Sequence, residues 1–193
     1  MTPQLPLTLR APPDQRFEAF VGADAIRDAV QAAARGAAGD WLFLEGPPGS
    51  GKTHLLLAAC ADAAAGGRKA AYLPLAGFAG HLSALLPAQE GADLLCLDGV
   101  EAIAGHADDE EALFHFHNRA RATGATLLYA ASAGPRALAI ALPDLRTRLA
   151  QCTRLSLPAL DEPARRAARA AASNSTTRCS TTCCAASTAT SAR

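Results

Sequence analysis

Along this chain, apolar residues recur with two spacings that take turns. Short apolar runs bounded by glycine or polar residues read as buried strands, at Trp41–Glu45, Lys69–Leu73, Asp93–Leu97, Ala125–Ala130 and Gln151–Leu157. Between them lie longer stretches rich in good helix formers: Ala25–Arg35, Lys52 to about Ala65, Phe78–Leu86, Asp109–Thr123 and Leu142–Ala150. Glycines close most of them: Gly36 and Gly39 the first, Gly66 and Gly67 the second, Gly124 the fourth. The third ends near Pro87, and Pro143 suits the first turn of the last. Strands alternating with helices predict an α/β fold, an open parallel sheet sandwiched by helices, with ligands at the carboxyl ends of its strands. Residues 1–15 carry Pro3, Pro6, Pro12 and Pro13 and predict an extended arm. Residues 16–162 form the predicted domain, and 163–193 a low-complexity tail.

The strongest chemical signal is GPPGSGKT at 46–53, set between the first strand and the second helix. In such a phosphate-binding loop the glycines let successive backbone N–H groups turn inward, and the helix adds its positive N-terminal end. Gly46, Pro47, Pro48, Gly49, Ser50 and Gly51 make the loop, and Lys52 reaches the β- and γ-phosphates. Thr53 supplies a hydroxyl to Mg²⁺, and His54 continues the first helical turn. Asp98 ends the apolar strand Leu94–Leu97, where an acid faces the magnesium; a turn residue before Gly99 is the plainer alternative. Gly99 stands where many ATPases carry a second carboxylate to position water, although Glu101 is close by. Nucleotide binding is thus the expectation, with intrinsic hydrolysis weak or absent.

Charge narrows the partners. Lys plus Arg and Asp plus Glu each number 18, a formal net charge of zero, so the chain lacks the basic surface that binds bulk nucleic acid. No apolar stretch is long enough to cross a bilayer and no secretory signal is visible, which predicts a cytoplasmic protein. Cys60, Cys96 and Cys152 sit in apolar or mixed segments and read as buried thiols. Cys179, Cys183 and Cys184 lie in the tail with the wrong spacing for zinc and no histidine after them.

Several ordered segments resemble the AAA+ domain of the DnaA replication-initiator family. They are RFEAFVG at 16–22, WLFLEGPPGSGKTHLL at 41–56, DLLCLDGVEAIAG at 93–105, FHFHNRARATGATLL at 114–128 and LPDLRTRLA at 142–150. The resemblance implies an AAA+ P-loop domain that binds ADP or ATP with Mg²⁺. It assigns Phe17, Phe20 and Val21 to the segment packing on adenine, although their spacing suits core residues equally. It assigns Arg148, rather than Arg146, to an arginine finger that reaches a neighbouring subunit's nucleotide, where spacing alone would favour a solvent-facing arginine. Ser132 stands where the family's first sensor carries a stronger polar residue.

The arm Gln4-Leu5-Pro6-Leu7-Thr8-Leu9 resembles the peptide by which the regulatory branch of the family docks on the DNA polymerase sliding clamp. An extended segment can place Leu5, Leu7 and Leu9 in an apolar groove while Gln4 hydrogen-bonds, or can pack as an apolar edge on its own domain. From about Ala164 the resemblance stops, where the family has a helical lid with a second sensor arginine. Read out of frame, GC-rich codons compatible with the tail give QLDDAVLDYLLRRVDRDLGT, an amphipathic, lid-like peptide, so a frameshift is expected and the lid is largely missing. The implied function is negative regulation of replication initiation: docking on the clamp, and stimulating ATP hydrolysis by DnaA through Arg148. The implied partners are the sliding clamp, DnaA and a second copy of the chain as a homodimer, with no membrane and no direct sequence-specific nucleic-acid binding. The alternative is a DnaA-like or helicase-loader-like ATPase acting directly on nucleic acid.

Overall fold

The computed structural model describes residues 16–20, 22–37 and 39–160. The arm, the tail and Val21 lie outside the described residues. Five strands, β1 Leu42–Glu45, β2 Ala70–Pro74, β3 Leu94–Asp98, β4 Thr126–Ala131 and β5 Thr153–Ser156, form one parallel sheet in the order β2-β3-β4-β1-β5. Parallel pairing brings every carboxyl end to one edge, so Glu45, Asp98, Ala131 and Ser156 share it. The helices are α1 Asp24–Ala34, α2 Lys52–Ala65, α3 Leu82–Leu85, α4 Ala107–Thr123 and α5 Pro143–Ala150.

A sheet covered on both faces needs apolar residues on both, and the strands supply them with period two. Leu42, Leu44, Leu94, Cys96, Leu128 and Ala130 pack under α1 and α2 with Leu55, Leu56 and Phe17. Phe43, Leu95, Leu97, Leu127 and Tyr129 pack on the other face with Leu113, Phe116, Leu145 and Leu149 of α4 and α5. Cys96 and Cys152 are buried and Cys60 half-buried, all three as free thiols. No helix among the described residues is long and apolar enough to cross a membrane.

The predicted helix over Phe78–Leu86 is a correction. The segment instead opens with a turn at 78–80, holds the one-turn helix α3, and passes at Leu86 into a 3-10 turn, Leu86–Gln89. Gly80 takes a left-handed φ of 82°, and the buried Asp109 carboxylate draws the N–H groups of Gly80 and Leu82 away from a helical ladder. Its neighbour Glu110, fully buried, accepts from the N–H of Gly105 (2.7 Å), Ala141 (3.1 Å) and Leu142 (2.7 Å). That one carboxylate fixes the entry to α5, the helix that carries Arg148.

Candidate nucleotide site

The loop from Gly46 to Gly51 rises from the carboxyl end of β1, which lies inside the sheet between β4 and β5. Gly49 and Gly51 have φ of 78° and 96°, values a side chain rarely tolerates. Gly46 is constrained by space: a Cβ there would lie 2.5 Å from the carbonyl oxygen of Leu157. The loop then opens α2, whose first N–H groups have no intrahelical acceptor and face anions by geometry. A loop whose backbone requires glycine at 46, 49 and 51, at a helix start, fits a phosphate chain.

Lys52 directs its ammonium back over the loop, donating to the carbonyls of Gly46 and Pro47 (2.9 Å) and to Ser50 Oγ (3.4 Å). Burial lowers its pKa, while the charges of Glu101 and Asp98 oppose that shift. Thr53 Oγ1 donates to Asp98 Oδ2 at 2.6 Å. Asp98 therefore reaches the loop from β3, and a hydroxyl beside a carboxylate is a donor set suited to Mg²⁺. Tyr72 on β2 also donates to Asp98 Oδ2, at 2.9 Å. Burial and the nearby Asp98 charge raise the Tyr72 pKa, so the phenol keeps its proton and remains a donor.

The segment before α1 lies against the loop. Phe17 is buried, at 4% exposure, in the core under α2. Phe20 is half-buried, with its ring so close to Gly51 that a Cβ there would lie 2.8 Å from it. The Phe20 and His54 rings lie 5.8 Å apart, and His54 Nε2 is 2.9 Å from the carbonyl of Arg16. Phe20, Gly51 and His54 are thus brought together, while Phe17 supports them from beneath.

A further carboxylate, Glu101, follows Asp98 closely in the chain. Gly99 has φ of 79°, so an acid there would be strained. Glu101, in the 3-10 turn that follows, accepts from the Ser132 N–H at 3.1 Å. Its carboxylate therefore links the end of β3 to the end of β4, beside Lys52. Ser132 itself is exposed. On the β5 side, Glu45 accepts from Arg154 (2.9 Å) and from Ser156. The Arg154 hydrogen bond, and after it that of Ser156, holds Glu45 below the usual carboxylate range.

Arg148 lies away from these groups, half-buried on α5, whereas Arg146 is exposed. Arg148 makes no ion pair among the described residues. Gln4, Leu5, Leu7 and Leu9 lie outside the described residues, as does Val21. Sequence reasoning missed Tyr72, Glu110 and the Glu101–Ser132 contact. The Tyr72 contact was marked only by register: Pro74 pairs with Asp98, and Tyr72 stands two residues earlier on the same face.

No protein-family model matches the chain. Among solved structures it is similar to the replication initiator DnaA bound to AMPPCP and single-stranded DNA, with a TM-score of 0.71 and 25% identity over 79% of this chain and 52% of that one. AMPPCP-bound DnaA from Aquifex aeolicus gives 0.70 and 25%, over 81% and 53%. Domain III of the Thermotoga maritima initiation protein DnaA gives 0.71 at 23%, over 88% and 75%, a likeness of fold alone. The chain spans about half the length of the first two. Sheet order, P-loop and these likenesses make this an α/β P-loop domain of AAA+ architecture and support a DnaA-like AAA+ family for it.

Proposed function

We propose that the chain binds ADP or ATP with Mg²⁺ at residues 46–54 and regulates the initiation of DNA replication. The observation that carries binding is the Thr53–Asp98 pair at the mouth of a glycine-lined cradle, in a fold shared with DnaA bound to AMPPCP. In this reading the Thr53 hydroxyl and Asp98 hold the ion, and Lys52 turns from the loop carbonyls to the phosphates. Phe20 lies against the adenine, with Phe17 and Val21 completing the segment. Gly99 in place of an acid supports weak intrinsic turnover.

The regulatory part of the reading follows the resemblance to Hda, the DnaA-homologous inactivator. Gln4, Leu5, Leu7 and Leu9 dock on the sliding clamp, which supplies the link to DNA for a chain of zero net charge. Arg148 then reaches the ATP held by DnaA and stabilises the charge that develops as the γ-phosphate leaves. The test is DnaA–ATP hydrolysis in the presence of clamp-loaded DNA. Arg148→Ala abolishes stimulation and leaves clamp binding intact; Gln4→Ala with Leu7→Ala abolishes clamp binding and, with it, stimulation. Stimulation that survives Arg148→Ala refutes the finger, and clamp binding that survives the arm variant refutes the docking role.

One observation favours a second reading. One similar structure is DnaA bound to single-stranded DNA, and direct action on nucleic acid is the second reading for this chain. That reading requires salt-dependent binding of single-stranded DNA and appreciable intrinsic ATP turnover.

A further inference from the structure

At the end of the sheet opposite the P-loop lies a polar cavity of about 190 Å³. His117, Arg121, Trp41, Asp40, Gln151 and Cys152 are among its lining residues. It sits where α4 and the end of α5 meet the starts of β1 and β4.

His117 makes the cavity more than a dent. Its side chain is almost fully buried, at 1% exposure, and its Nδ1 lies 2.9 Å from the Tyr129 hydroxyl. Nε2 is buried and has no partner among the described residues. The tautomer follows from counting donors. Tyr129 is fully buried and keeps its proton, because burial drives its pKa far upward. If Nδ1 carried the imidazole proton, the tyrosine proton and Nε2 would both be stranded. With the tyrosine donating to Nδ1, a single group is left over, the Nε2–H donor. A buried donor without an acceptor costs about 1–3 kcal/mol, so its persistence calls for an acceptor.

The surroundings select the charge of that acceptor. Arg121 lies over the Trp41 ring, 5.6 Å from its centroid, and forms no ion pair among the described residues. Trp41 meets His117 edge-on at 4.4 Å and uses its own N–H on the carbonyl of Ala125. The Cys152 thiol donates to the carbonyl of Arg148, and burial pushes its pKa up to about 12, so it brings no negative charge. Asp40 is exposed and is the cavity's one carboxylate. No three His, Cys, Asp or Glu side chains among the described residues are placed to hold a metal ion.

We propose that this cavity is a binding site for a small oxyanion, a phosphate or a carboxylate, received by the His117 Nε2–H and the Arg121 guanidinium. The site is separate from the P-loop. It borders Gln151 and Cys152, and Cys152 bonds back to Arg148, so an occupant braces the end of the helix that carries that arginine.

Trp41 is the single tryptophan of the chain and touches both proposed ligands, so its fluorescence reports this site alone. The experiment titrates the full chain, saturated with ADP, with inorganic phosphate and separately with acetate, at an ionic strength held constant with sodium chloride. The expected result is a saturable change in Trp41 emission with at least one of the two anions. Its midpoint should rise by about tenfold or more in Arg121→Ala, the loss of a charged hydrogen bond. Arg119→Ala, which removes an exposed arginine of the same helix that lies outside the cavity, should leave the titration unchanged. A linear response, a midpoint unmoved in Arg121→Ala, or a midpoint raised as far in Arg119→Ala as in Arg121→Ala would each overturn the proposal. Because the readout is a binding curve at Trp41, these outcomes do not depend on DnaA or the clamp.

Discussion

Thr53 Oγ1 and Asp98 Oδ2 lie 2.6 Å apart although 45 positions separate them in the chain. The first opens α2 and the second closes β3, so the contact exists only because the parallel sheet brings both ends to one edge. If the pair holds Mg²⁺, Thr53→Val, which keeps the shape and removes the hydroxyl, should weaken nucleotide affinity about tenfold with Mg²⁺ present. With EDTA the same variant should bind like the parent. Fluorescent-ADP titrations in both conditions check this, and an equal loss in both would show that the hydroxyl is not a metal ligand.

Gly46 gives a sharper steric test. A Cβ there would meet the Leu157 carbonyl at 2.5 Å, and the Leu157 N–H is itself bound to Glu45 O at 2.7 Å, so that carbonyl cannot easily retreat. Gly46→Ala should therefore cost on the order of 1–3 kcal/mol of stability and weaken nucleotide binding together. Urea denaturation and nucleotide titration measure the two losses. A variant of parental stability would mean that the end of β5 moves aside.

Glu110 holds the entry to α5 through three backbone donors while fully buried. Glu110→Ala strands those donors and should destabilise the domain by about 3 kcal/mol. Glu110→Gln, which keeps acceptor capacity, should cost less. Chemical denaturation of the two variants decides: equal losses would show that the carboxylate's acceptor role is not what matters.

His117 makes stability depend on pH in a stated direction. Burial, with the positive charges of Arg121 and Arg148, lowers its pKa from 6.5 to about 4. The folded state thus resists a proton that the unfolded state accepts below pH 6.5. The stabilisation of the folded state relative to an unfolded chain with protonated His117 is complete above pH 6.5 and is lost as pH falls toward 4. Between pH 7 and pH 5 the loss should be about 2 kcal/mol. Denaturation curves at the two values, for the parent and for His117→Phe, isolate it. A pH dependence identical in the two proteins would show that His117 is not its source.

What the sequence could announce was local. Glycines at the spacing of a phosphate loop, an apolar run before them and a helical stretch after them lie within a few residues, so Gly46–Thr53 was legible without a structure. Five strands and four of the five helices were legible for the same reason. Burial on both faces demands apolar runs that polar or glycine residues punctuate. The Phe78–Leu86 segment was misread because the side chain that interrupts its helix, Asp109, belongs to α4.

The tertiary structure decided which distant groups meet. Tyr72 reaches Asp98 through the register of β2 on β3. Glu101 joins the Ser132 backbone because β3 and β4 end side by side. His117 reads in the sequence as one more residue of a helix, and only the packing of α4 on β4 and Trp41 strands its Nε2. Hydrophobic periodicity specifies which face of an element is buried. It carries no record of the partner across the sheet or between helices, because that partner is set by strand order and register, and those are properties of the whole chain.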